Sequence, residues 1–242
     1  MKPTTGEFFG YDWPIEDRIA RFEVDLKYAS GEAKAEYPYL FFINCSSGKD
    51  KKAPLTVMER FSIRFLINQL KIMMEPIYVG SIKTKNEVQY YFYCKSDSCL
   101  EKLKAEAKKK KNILCRVDAV HESDWDTYFS LLYPDEAKRQ TEENRKTLEI
   151  LEKNGFPMAG TKKICLHMFF KSEPRMLTFA ERARLDGFAI GDTEFIGEQD
   201  YAHGVILIEL SALRKKELDT ITTKAVNLAK EYGGILSYWD CR

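Results

Sequence analysis

Residues 162–241 read KKICLHMFFKSEPRMLTFAERARLDGFAIGDTEFIGEQDYAHGVILIELSALRKKELDTITTKAVNLAKEYGGILSYWDC. Ile164, Leu166, Met168 and Phe170 alternate with Cys165, His167 and Phe169, a strand apolar on nearly both faces. Ser172 and Pro174 open a helix whose inner stripe is Met176, Ala180 and Ala183 and which Gly187 ends. Phe188–Ile196 and Val205–Leu210 then form a hairpin pair around the loop Gly197–Gly204. Leu218, Ile221, Ala225, Leu228 and Tyr232 fall at spacings of three and four, so a second helix follows; Gly233-Gly234 stops it, and Ile235–Cys241 is a last strand. Strand, helix, strand, strand, helix, strand is the order of a ferredoxin-like unit, two helices on one face of a four-stranded antiparallel sheet.

Residues 38–119 carry the same order. Tyr39–Cys45 is apolar on both faces and reads as a central strand. Thr56 and Glu59 make a capping box for a helix bearing Phe61, Phe65, Leu66, Leu70 and Met73, which ends before Pro76. Ile77–Lys83 and Val88–Cys94 flank a turn, Ser98 and Glu101 are placed to cap a helix with Leu100, Leu103 and Ala107, and Ile113–Val120 closes the sheet. Ahead of this unit Phe22, Val24, Leu26 and Tyr28 alternate with charged residues, an additional N-terminal strand expected to pair with Tyr39–Cys45 as a hairpin.

Between the two patterns, Trp125, Tyr128, Phe129 and Leu132 belong to a short helix ended by Pro134, and a longer helix from Asp135 carries Asn144, Leu148 and Leu151 up to Asn154-Gly155. This is an ordered helical connector, neither Gly/Ser-rich nor Pro-rich, and the aromatic cluster Trp125, Tyr128, Phe129, Leu132 is expected as an inter-domain wedge. The expectation is therefore an α+β protein of two tandem ferredoxin-like units, residues 1–134 and 135–242, the first with an extra N-terminal strand.

The 242 residues are 44% apolar and 31% charged with eight prolines, which describes a globular chain rather than a disordered one. Formal net charge is +1, so bulk charge marks neither half as a polyanion-binding domain. Six cysteines lie mostly inside apolar strand patterns and read as reduced thiols. The N-terminus has no apolar signal-like core and no run approaches a membrane span, so a cytoplasmic protein with no membrane partner is expected. Cys94, Cys99 and Cys115 lack the second pair or the histidine that a zinc site needs, and no metal or cofactor is expected.

Catalytic handles are sparse. Nucleophile elbow, phosphate loop and dinucleotide fingerprint are all missing. The three histidines are scattered, and His167, mid-strand between large apolar residues, reads as a hydrogen-bonded core imidazole. Lys108, Lys109, Lys110 and Lys111 complement the C-terminal end of a helix dipole; read together with Tyr91 and Tyr93 on the neighbouring strand they offer an RNA-binding alternative, although the glycines of an RNA-recognition strand are missing.

NRKTLEILEKNG (144–155), ICLHMFF (164–170), ARLDGFAI (183–190) and GGILSYWD (233–240) resemble the regulator of ribonuclease E activity B family. YVGSIKTKNEVQYYFYCKS (78–96) and DWDTYFSLLYPD (124–135) resemble a family of unknown function, number six-nine-five. The resemblance implies a non-enzymatic protein that binds ribonuclease E and restrains it. The expectation is a protein-binding regulator, with a ribonuclease of RNA decay as the candidate partner and Tyr201, Tyr238 and Trp239 as partner-binding aromatics, the alternative being that Tyr238 and Trp239 pack the seam between the units. An uncharacterised enzyme with a site near His121 and Asp124 is the third reading.

Overall fold

A computed structural model describes residues 6–16, 18–197 and 199–242. The chain divides into two compact units, residues 1–133 and 134–242. Both are mixed α+β, each built on an antiparallel sheet with helices.

The second unit runs α3 (Glu136–Lys153), β7 (Thr161–Phe170), α4 (Glu173–Leu185), β8 (Ala189–Phe195), β9 (His203–Ala212), α5 (Lys215–Glu231) and β10 (Gly234–Cys241). Its sheet order is β10-β7-β9-β8, so the most apolar strand is central and the helical crossovers place the last strand beside the first. Gly187 and Gly233 both take positive φ where α4 and α5 end, the conformation that a helix stop needs and that glycine adopts without a Cβ clash. Ile164, Leu166, Met168 and Phe170 of β7 pack against Met176, Phe179, Leu218, Ala225 and Leu228. The helix α3, a connector by sequence, belongs to this unit. It is anchored by the fully buried Asn144, whose amide donates to Asp219 Oδ1 (2.9 Å) and Thr222 Oγ1 (2.8 Å) on α5. Its oxygen accepts from Gln140 (2.9 Å) and from Trp239 Nε1 (3.0 Å).

The first unit runs β1 (Phe8–Ile15), β2 (Arg18–Asp25), β3 (Tyr39–Ser47), α1 (Val57–Met74), β4 (Ile77–Lys83), β5 (Glu87–Cys94), α2 (Leu100–Lys108), β6 (Ile113–His121) and a π-helical turn Thr127–Leu132. Six strands order as β1-β2-β4-β5-β3-β6. Among the described residues two strands, not one, precede β3, and β2 pairs with β1 and β4 rather than forming a hairpin with β3. Pairing β2 with β4 sets Phe22 opposite Ile82 and Val24 opposite Gly80, and Phe22, Val24, Val79 and Ile82 share one buried apolar cluster. The sheet margin tolerates Pro14, which has no N–H to give to a ladder, because β1 pairs on one side alone.

The capping box of α1 is present: Thr56 Oγ1 accepts from Glu59 N at 3.3 Å and Glu59 accepts from Thr56 N at 2.7 Å. The start of α2 differs from expectation. Cys99 occupies the cap with no side-chain hydrogen bond, and the Ser98 hydroxyl turns to Ser96 instead, at 3.0 Å.

Alternation along β5 sends Phe92 and Cys94 to the face covered by α1 and α2, and Tyr91 and Tyr93 to the opposite face. There residues 122–133 close over the sheet. Trp125 stacks on Tyr93 with centroids 4.0 Å apart and 9° between planes, its Nε1 donates to Tyr37 O at 2.8 Å, and the Tyr128 hydroxyl donates to Asp25 O at 2.7 Å. Trp125 holds a left-handed φ of 57°, uncommon for a bulky residue and here held by that stacking and hydrogen bond.

Candidate functional site

The face of the second sheet opposite α4 and α5 is lined by Cys165, His167 and Phe169 of β7, Ile206, Ile208 and Leu210 of β9, and Ile235, Tyr238 and Asp240 of β10. Side chains of paired residues share a face, so this set follows from register. One residue decides its membership. Leu236 pairs with Met168 and Tyr238 pairs with His167, leaving Ser237 as the extra residue of a β-bulge. In unbroken register Trp239 would stand on this face and Tyr238 in the core; the bulge exchanges them. Trp239 is consequently 7% exposed, inside the core, while Tyr238 is 50% exposed.

His167 sits at the centre. Its Nε2 is 2.8 Å from Asp240 Oδ2, its Nδ1 is 3.4 Å from Glu194 Oε1, and Tyr238 stacks on the ring at 4.0 Å and 14°. Both imidazole nitrogens are therefore engaged by carboxylates, which leaves neither directed at a hydroxyl or thiol as a general base would be. Partial burial first, then Glu194 and Asp240, push the Tyr238 phenol above its ordinary range and keep it a neutral hydroxyl. On the same face Ile235 is exposed near this polar centre, and Leu210 is exposed further along β9 opposite Lys163, so the face carries apolar side chains, a stacked aromatic and two carboxylates. Among the described residues no set of His, Cys, Asp and Glu converges as a metal site, and no helix is long and apolar enough to cross a membrane.

The other candidate residues are dispersed. Tyr201 is half-buried in the loop before β9, with the Lys171 ammonium 5.1 Å from its ring. Trp239, read from sequence as a surface anchor, is a core residue for the register reason above. Trp125, Tyr128 and Leu132, expected as an inter-domain wedge, are fully buried in the first unit's own core, with Phe129 packed against them, because the open face of that sheet needs a cover. Tyr91 and Tyr93 are 4% and 0% exposed, so neither presents a ring on which a base can stack. Burial and the Glu122 carboxylate, which accepts the Tyr93 hydroxyl at 2.6 Å, push that phenol well above its usual range. In the lysine run Lys109 pairs with Glu106 at 2.6 Å and Lys110 lies 3.7 Å over the Phe65 ring, while Lys108 and Lys111 are exposed. His121 packs edge-on against Tyr39 and Asp124 is exposed nearby.

Cys45 and Cys115 face each other across β3 and β6 with sulfurs 2.9 Å apart; the Cys115 contact and burial push the Cys45 thiol far above the range in which it would be reactive. Sequence reasoning missed Glu194 and Asp240 as partners of His167. Asp240 follows from the bulge and Glu194 from the β8–β9 register, and neither has a local signature.

Comparison with known proteins places these units. The family model described as Regulator of ribonuclease activity B matches residues 141–241, and that described as Family of unknown function (DUF695) matches residues 11–133. No curated protein matches the chain. A crystal structure of an unknown protein from Galdieria sulphuraria is 10% identical, with 86% of this chain and 98% of that one covered at a TM-score of 0.24, too low to carry an argument. The chain belongs to the family of unknown function (DUF695) through its first unit, joined to a second unit that matches the Regulator of ribonuclease activity B model.

Proposed function

We propose that this protein is a non-catalytic, cytoplasmic regulator that binds an endoribonuclease of the ribonuclease E type and restrains it. The observation that carries the reading is the match of residues 141–241, nearly all of the second unit, to Regulator of ribonuclease activity B. The strand order β10-β7-β9-β8 with two crossover helices supports a ferredoxin-like reading of that unit, and the adjacent run β6-β3-β5-β4 in the first sheet supports the same for the first. We assign the docking surface to the outer face of the second sheet, with Tyr238 as the aromatic anchor, Ile235 beside it on β10, and Leu210 further along the face on β9. The carboxylate-bracketed His167 supports regulation without chemistry, because its nitrogens are already engaged.

The test is cleavage of a fluorescent RNA by purified ribonuclease E as this protein is titrated in, with binding followed in parallel on immobilised nuclease. The expected result is dose-dependent slowing, and roughly a tenfold or greater loss of affinity for Tyr238→Ala with its circular dichroism unchanged. Unslowed cleavage with no binding refutes the regulator reading. Slowing that Tyr238→Ala leaves intact refutes the docking face.

A further inference from the structure

We propose that the first unit holds a binding site for a nucleoside phosphate in the cleft between α1 and the outer strands of its sheet. The cleft encloses about 500 Å³, within the ordinary range for small-molecule sites. It exists because β2 extends the sheet beyond the reach of α1. Glu23 pairs in register with Ser81, and Ser81 with Tyr90, so these side chains share the helix-bearing face, where Glu23 and Tyr90 line the cleft with one stripe of α1.

Three features of the lining specify the ligand. The first is charge. Arg60, Arg64 and Lys71 recur at spacings of four and seven along one stripe of α1, and Lys83 and Lys85 face them from the β4–β5 hairpin. Only Glu23 and Glu87 oppose these five cations. Among the described residues Arg64, Lys71 and Lys85 form no ion pair, so the concave wall holds uncompensated positive charge and favours an anion. Two guanidiniums suit the oxygens of a phosphate. The second is the floor. Tyr78, Tyr90 and Phe92 lie together, with Tyr78 5.3 Å from Phe92 and 6.4 Å from Tyr90 by ring centroid, and Leu55, Ile63, Ile67 and Val88 complete an apolar wall that fits a planar base. The third is a fixed acceptor. Glu23 takes the Tyr78 hydroxyl at 2.9 Å and lies 3.8 Å from Lys83 Nζ, which aims a carboxylate at ligand donors such as a ribose hydroxyl or an exocyclic amine.

A bare phosphate would use the cations and leave the ring floor and Glu23 idle. A single-stranded RNA would need the basic track to continue outside, whereas two of the four lysines at 108–111 are engaged within the unit.

The experiment is calorimetric titration of the full chain with ADP, GDP, CDP and UDP, with pyrophosphate as the phosphate alone, adenosine as the ring and sugar alone, and a short oligoribonucleotide as the competing macromolecule. At least one nucleoside diphosphate is expected to bind about tenfold or more tightly than pyrophosphate or adenosine. The double variant Arg64→Gln, Lys71→Gln, both exposed residues, is expected to weaken it by about tenfold or more with the circular dichroism unchanged, and Lys108→Gln to leave it unchanged. The proposal is overturned if no nucleotide binds at millimolar concentration, if pyrophosphate binds as well as the nucleotide, if the double variant binds normally, or if the oligoribonucleotide binds more tightly with a dependence on Lys108.

Discussion

Replacing Asn144 by alanine is expected to loosen the second unit while leaving the first untouched. The side chain is fully buried and uses its whole capacity, two donated and two accepted hydrogen bonds. Alanine leaves its partners unequally served. Asp219 keeps Lys215 at 2.6 Å, and Thr222 keeps its donation to Leu218 O at 2.9 Å. Trp239 Nε1 has no such substitute and is left buried without an acceptor, costing about 1–3 kcal/mol. The small void adds about 1 kcal/mol, for a total of about 2–4 kcal/mol. Peptide-resolved hydrogen exchange is the suitable assay because it reads the two units separately. Peptides from α3, α5 and β10 should open roughly 30- to 700-fold more readily, and those from β1–β6 should not change. A double-mutant cycle sharpens the test: in a Trp239→Phe background the N–H is already gone, and Asn144→Ala should cost less there. An effect below about fivefold, an equal effect in both units, or strict additivity with Trp239→Phe would refute the hub assignment.

Glu59 gives a pH dependence. Its carboxylate accepts from the Ser47 hydroxyl (2.6 Å), from Thr56 N and from the Thr56 hydroxyl, and these bonds, Ser47 first, hold it below its ordinary range. A depressed acid stabilises the fold fully above the unfolded value of about 4.3 and loses that contribution as pH falls through the folded value. The stability gap between the native chain and Glu59→Gln, measured by urea unfolding, should therefore be widest at neutral pH and close on acidification; a gap that widens below pH 4 would contradict the reading. Gly80→Ala would bring a Cβ to 2.4 Å from the Glu23 carbonyl oxygen, so β2 must shift, and a loss of about 1–3 kcal/mol is expected in the first unit's unfolding free energy. Unchanged stability would show that β2 yields freely.

Much of the fold is legible because its signals are local. The capping box at Thr56 and Glu59, the glycine stops at 187 and 233 and the three-four stripe of α5 are each contained within a few residues, and each appears where the sequence implies it. Pairing partners are not local. The strand Phe8–Ile15 is masked by Gly10 and Pro14, and the choice of β4 over β3 as the neighbour of β2 depends on which apolar surfaces meet after collapse.

Element order and periodicity were thus set by the sequence itself, since backbone propensity, capping and the two hydrophobic periods act over single helical turns or strand repeats. Tertiary structure alone decided which side chains each face presents. The Ser237 bulge turns Trp239 inward and Tyr238 outward, residues 122–133 bury Tyr91 and Tyr93, and the cleft gathers Glu23, Arg60–Lys71 and Lys83–Tyr90 from three separate segments. A shift of one residue in strand register exchanges the two faces of a sheet, and only long-range packing chooses between the registers.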